Sequence, residues 1–189
     1  MPARRRTQNQ QTILLLVIGA GLVLVAIAAI LALPEAQQQV EAAGFSAIPA
    51  SVNFIAPDVQ LTDLDGKPVA LSDFRGQVIL YNAWATWCPP CKEEMPTLQA
   101  YYEAHQANGF VIVAIEDGQP IEEVRAFVNE HRLTFPVWPD PQYKATTAFR
   151  ANSLPTSFVI DREGIVRLTW TGAISRAMLE EYLTPLIEQ

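Results

Sequence analysis

The chain has 189 residues, half of them apolar, and a formal net charge of −7. That length holds one domain and a further segment. The acidic balance excludes binding to nucleic acid or anionic lipid by charge, and two cysteines are too few for a disulfide-stapled scaffold.

The further segment is at the front. Residues 1–12 carry Arg4, Arg5 and Arg6, and residues 13–33 form a run of 21 without a charged or polar side chain. A helix of that length spans a hydrocarbon core of ~30 Å and exceeds the ~7–15 apolar residues of a cleavable signal. It predicts a transmembrane signal anchor, with cleavage after Ala-x-Ala-like triplets as the alternative. The arginines place residues 1–12 in the cytoplasm and everything after Leu33 outside. All 20 acids and 10 of the 13 bases follow Leu33, so the outer part carries 10 − 20 = −10. Residues 34–55, rich in Gln, Ala, Ser and Pro and without lasting periodicity, predict a flexible tether of on the order of 25–30 Å. The domain expected after it covers 56–189.

Within the domain, residues 57–71 alternate apolar and polar side chains about an Asp63–Lys67 turn, which predicts a hairpin. Ser72 is the expected cap of a short turn. Residues 78–84 and 110–115 read as strands covered on both faces, with Asn82 the one polar side chain in the first. Between them lies a helix with Met95, Leu98, Tyr101 and Tyr102 at helical spacing, kinked by Pro96 and ended by Gly109. Residues 116–120 read as a loop and 121–132 as an amphipathic helix with Val124, Phe127 and Val128 inward. A short strand (135–138), a short helix (143–149) and a strand hairpin (156–160 and 165–171) come next. The last helix, capped by Ser175, runs to about residue 187. The order β-β-β-α-β-α-β-α-β-β-α implies an α/β fold: a central mixed sheet flanked by helices. No internal repeat or nucleotide fingerprint is present.

The only cysteines, Cys88 and Cys91, stand between the first buried strand and its helix. Strand, Cys-x-x-Cys and helix in succession predict a thiol–disulfide redox site whose only redox group is the Cys88–Cys91 disulfide, with no cofactor and no metal. If Cys88 caps the helix, Pro89 and Pro90 occupy its first turn, where a proline loses no hydrogen bond. Pro90 has no N–H, so the Cys91 amide is the expected donor to the Cys88 sulfur. The helix dipole favours a thiolate there. Cys88 is then the exposed, attacking sulfur and Cys91, one turn in, the resolving one. A zinc site needs closely spaced histidines, but His105 and His131 are 26 residues apart, and both read as surface residues. A structural disulfide is the other alternative.

Residues 83–96, Ala-Trp-Ala-Thr-Trp-Cys-Pro-Pro-Cys-Lys-Glu-Glu-Met-Pro, resemble the thioredoxin superfamily, and within it the membrane-anchored TlpA/ResA-like branch. Ala56-Pro57-Asp58, Asp65-Gly66-Lys67 and residues 71–76 are similar to that branch's N-terminal hairpin extension. Residues 154–161 are similar to the segment with its cis-proline, and 116–132 lie where it inserts a helix. The resemblance implies a thioredoxin fold over 56–189 and an extracytoplasmic thiol–disulfide oxidoreductase in the cell membrane. It implies protein disulfides as substrates, apocytochrome c during cytochrome c maturation among them, and a membrane thiol-transfer protein as electron donor. By the same resemblance Pro155 is cis, with its neighbour Thr156 offering backbone to a substrate strand. Trp87 lies beside the disulfide and limits water, and Glu94 tunes the protonation of the thiols. Trp84 is expected in the core. Thioredoxin has a buried Asp where this chain has Asn82; the departure leaves open what deprotonates Cys91, with Glu94 as the candidate. Two rivals are a peroxide-reducing redoxin and a Cys-x-x-Cys copper chaperone. The first wants Pro and Thr before its cysteine and a supporting Arg; the second wants a distant His.

Overall fold

The structure, a computed structural model, describes residues 48–189 together with Val23. The cytoplasmic segment at 1–12, the anchor at 13–33 and the tether up to residue 47 lie, Val23 apart, outside the described residues. Among the described residues no helix is long and apolar enough to cross a membrane.

The first strand, β1 (Ala50–Ile55), corrects the expected tether boundary. Residues 50–55 are not tether: they pair antiparallel with a strand more than a hundred residues away, Ala50 opposite Thr169 and Ile55 opposite Ile165. Five of the six are exposed, so β1 carries no apolar alternation by which a sequence reveals a strand. The expected hairpin is present as β2 (Gln60–Thr62) and β3 (Pro68–Ala70). Its turn is held by Asp63 Oδ1, which accepts the amides of Asp65 and Lys67 at 2.9 Å each. The 3-10 turn Leu71–Phe74 is not capped by Ser72. Asp73 folds back instead, its Oδ2 accepting the Ala70 amide.

Two parallel strands form the centre: β4 (Val78–Trp84) and β5 (Phe110–Glu116), buried at every residue as uninterrupted apolar runs require. The crossover between them is α1 (Pro89–His105), which runs through Pro96. Gly109, at φ 73°, ends that region; a Cβ there would lie 2.7 Å from Arg162 Nη1. After α2 (Ile121–His131), the short β6 (Val137–Pro139) adds to the parallel side. Then come α3 (Lys144–Phe149) and the antiparallel pair β7 (Thr156–Ile160) and β8 (Ile165–Thr171). The six-stranded order is β1-β8-β7-β4-β5-β6, a mixed sheet. The C-terminal helix α4 joins Arg176–Met178, a π-helical Leu179–Leu183 and Thr184–Ile187, and Ser175 caps it through the Met178 amide.

Strand alternation sorts the core into two layers. Val78, Leu80 and Trp84 face Met95, Leu98, Phe127 and Leu179 on the side of α1, α2 and α4. Ile79, Tyr81 and Ala83 face Phe149 and Phe158 on the side of α3. Met95, Leu98 and Tyr101 are completely buried, each stabilising the α1 interface by about 1.5–3 kcal/mol. The helix therefore holds the cysteines rigidly at the carboxyl end of β4.

Candidate active site around Cys88 and Cys91

Trp84 ends β4 inside the core, against Phe127, as expected. A tight turn comes next, closed by the Cys88 amide on the Ala85 carbonyl at 3.1 Å. Cys88 has extended backbone and caps α1, with Pro89 and Pro90 in the first turn. Its sulfur accepts the Cys91 amide at 3.3 Å, the geometry the two prolines dictate. The cysteines are joined as a disulfide, with Cα atoms 5.3 Å apart. Cys88 is 3% exposed and Cys91 not at all, so the difference in access is in the expected direction and narrow.

Trp87 is 61% exposed and stands at the rim of a cleft of about 380 Å³. Cys88, Pro89 and Pro90 form one side of that cleft, residues 151–154 the other. The Leu154–Pro155 peptide is cis, and Thr156 Oγ1 ties the wall by donating to the Ser153 carbonyl at 2.7 Å.

Glu94, one turn beyond Cys91 on α1, is buried. Asn82 Nδ2 donates to its Oε1 and the Ile174 amide to its Oε2, both at 2.9 Å. The same Asn82 amide group reaches Ser157 Oγ on β7 at 2.9 Å. Burial pushes the Glu94 carboxyl up to about 7, against the opposing pull of the Asn82 and Ile174 hydrogen bonds. Asn82 and Glu94, which the sequence offers separately, are thus one unit behind the disulfide. It joins β4, α1, β7 and the loop after β8.

Two acids were not legible as site residues. Glu116, expected in a loop, is the last residue of β5, fully buried beside Trp84. Its carboxyl is pushed up to about 7 by burial, opposed by the amides of Gln119 and Thr86 and reinforced by Asp117 and Glu123. Asp117 lines the cysteine cleft, and its Oδ1 accepts the Thr146 hydroxyl at 3.0 Å. Burial and then nearby Asp140 raise it above the ordinary range, while the Thr146 hydrogen bond opposes. Their signal was positional: β4 and β5 are parallel, so the residues leaving β5 must emerge beside those leaving β4. His105 and His131 stand away from the disulfide, half-buried against Tyr101 and Phe127.

The family described as AhpC/TSA matches residues 52–169. The chain is 38% identical over 133 residues to the thiol–disulfide oxidoreductase ResA of Geobacillus kaustophilus, covering 70% of this chain and 76% of that protein. With ResA of Bacillus subtilis the identity is 35% over 128 residues, covering 68% and 72%. Among solved structures, a thiol:disulfide interchange protein of the thioredoxin family from Chlorobium tepidum superposes with a TM-score of 0.66 at 26% identity, over 73% of this chain and 99% of that one. StoA from Bacillus subtilis superposes with a TM-score of 0.60 at 26% identity, over 68% and 98%.

Proposed function

This chain belongs to the AhpC/TSA family, on the side of the ResA thiol–disulfide oxidoreductases, and from that premise we propose that it is a membrane-anchored reductant of protein disulfides outside the cytoplasm. Thiol–disulfide exchange is its chemistry; direction, substrate and place are our reading. Residues 13–33 anchor it, and a membrane thiol-transfer protein supplies its electrons. The haem-attachment cysteines of apocytochrome c are the substrate of choice.

The observation that carries the reading is the environment of the Cys88 sulfur. It receives one amide hydrogen bond, from Cys91, where Pro90 has none to give. Buried Glu94 stands one turn behind and disfavours further negative charge. Both limit thiolate stabilisation, and a dithiol with little of it gives up its electrons readily. In the exchange, the Cys88 thiolate attacks one sulfur of the substrate disulfide. The substrate S–S bond breaks and a mixed disulfide forms. Cys91, having given its proton to Glu94, then attacks the Cys88 sulfur and releases the second substrate thiolate. Two electrons pass to the substrate, and the Cys88–Cys91 bond is the oxidised product. The chain enters the domain at the cysteine end of the sheet, since Ala50 lies opposite Thr169 while Thr171 lies opposite Thr156 beside Pro155.

The peroxide-reducing rival is disfavoured because, among the described residues, no arginine lines the cysteine cleft, and Thr86 and Trp87 precede Cys88. Equilibration with glutathione or dithiothreitol buffers tests the direction. The expected potential is near thioredoxin's, about −270 mV, and a value above about −180 mV overturns the reductant assignment. A membrane-impermeant thiol reagent should label Cys88 in reduced intact cells; labelling only after lysis overturns the orientation.

A further inference from the structure

The α3 side of the sheet is only partly covered. Helix α3 has six residues, and its Phe149 packs on Tyr81 of β4 and Phe158 of β7, with ring centroids 4.2 and 5.1 Å apart. On the same side the 3-10 turn Leu71–Phe74 packs its Leu71 into the layer that holds Val166 of β8, near Ile55 and Ile165, and α3 lies toward Phe158. Thr169 and Thr171 stand opposite Phe158 and Thr156 in the β7–β8 ladder, so they share that open face. Phe54 of β1 lies on it opposite Val166 and is 40% exposed. These residues floor a groove of about 550 Å³, with Arg150 on its wall.

The groove adjoins the cysteine cleft. Asn152 and Ser153, both exposed, line the two together. The two differ in charge. Asp117 is the charged residue lining the cysteine cleft, and Arg150 is the charged residue lining the groove. An arginine facing an apolar and hydroxyl-lined floor, in a domain with an excess of acids, selects a carboxylate.

We propose that this groove is a second docking subsite for the disulfide-bearing substrate. It takes an extended segment flanking the substrate cysteine, with an apolar side chain on Phe54 and a carboxylate toward Arg150. The inference rests on the thiol–disulfide reading above. The occupant is substrate because the groove lies next to the cleft where the substrate disulfide must sit, across Asn152 and Ser153, and carries a charge opposite to that of the acidic domain.

The test uses the full-length reduced chain and disulfide-cyclised peptides. Each peptide carries Phe-Glu or Phe-Lys a few residues from one cysteine, on its amino or its carboxyl side. On one of the two sides, the Glu peptide should show a kcat/KM about three- to tenfold above its Lys counterpart, as for an exposed charge pair. Arg150→Glu should invert that preference, and Phe54→Ala should slow both peptides of that side. Neither variant should alter reduction of dithiobis(nitrobenzoate), which is too small to reach the groove and reports an intact site. Equal rates for Glu and Lys peptides on both sides overturn the proposal, as does a preference that survives Arg150→Glu. A rise in peptide reduction in either variant also overturns it, and assigns the groove to the chain's own residues 34–47. Failure of the unaltered chain to reduce dithiobis(nitrobenzoate) condemns the thiol–disulfide reading instead, so the two failures are distinguishable.

Discussion

Glu94 and Glu116 approach the same side of the sheet from different strands and helices, and burial brings both to about 7. Their supports differ. Glu94 is gripped by Asn82 of β4 and by the Ile174 amide beyond β8, groups 12 and 80 residues away in the chain. Glu116 is held by the amide of Gln119 in its own turn, at 3.0 Å, and by the Thr86 amide just beyond β4, and is reinforced by the charge of its neighbour Asp117. The same proton affinity thus rests on a side chain of β4 and an amide beyond β8 at Glu94, and on backbone amides of the loops that follow β4 and β5 at Glu116. Only Glu94 shares a helix with the disulfide, so only there should the carboxyl and the thiols titrate as a coupled set.

The sharpest way to break this contrast is Asn82→Asp. It sets a second carboxylate against Glu94 Oε1 and removes the donor to Ser157. The expected loss of stability at pH 8 is about 3–5 kcal/mol, with most of it recovered near pH 5, where the two carboxyls share a proton. Chemical denaturation at the two pH values measures it, and a loss that ignores pH removes Glu94 from the account.

Next in size is the pH dependence of folding. Both carboxyls titrate near 4.5 in the unfolded chain and near 7 in the folded one. The folded state thus holds the extra protons between those values. The stability these two carboxyls contribute is highest below about 4.5, falls as pH rises through 7, and levels off above. Glu94→Gln and Glu116→Gln should each flatten part of that slope, by on the order of 2–3 kcal/mol across the window. A slope unchanged in either variant returns that residue to an ordinary carboxylate.

The thiols then separate the two acids. Glu94→Gln should lower the titration of the reduced Cys88–Cys91 pair by about one unit, because a buried negative charge is gone. Glu116→Gln should move it by a few tenths of a unit or less. Thiolate absorbance against pH reads both, and equal shifts erase the distinction. The smallest effect is expected from Asp117→Asn, since Asp117 is only half-buried and its charge is screened by solvent. Alkylation of Cys88 should accelerate by about twofold, and a tenfold change would make Asp117 the dominant charge on the attacking sulfur.

Elements were legible in the chain where their cause is local. The apolar runs of β4 and β5 announce strands buried on both faces, and the structure agrees at every residue. The cap at Cys88 comes from two prolines that leave one amide to donate, and the Cys91 amide makes that bond. The cis peptide before Pro155 came through resemblance alone and is present. Strand β1 was not legible, because its exposed side chains carry no pattern and its partner, β8, is distant in the chain. Nor were Glu116 and Asp117, because an acid at a strand end looks like loop until the neighbouring strand is in place.

The sequence by itself determined the helix-capped cysteine pair, the buried strands and the alternation of elements, because hydrophobic periodicity, proline and capping act within a few residues. The tertiary structure alone decided that Asn82 is the donor to Glu94, that Ile174 completes that carboxyl's shell, and that Asp117 shares a cleft with Cys88. Those contacts bridge separations the chain does not record. Their strength comes from the exclusion of water, which exists only once the sheet and α1 have closed on each other.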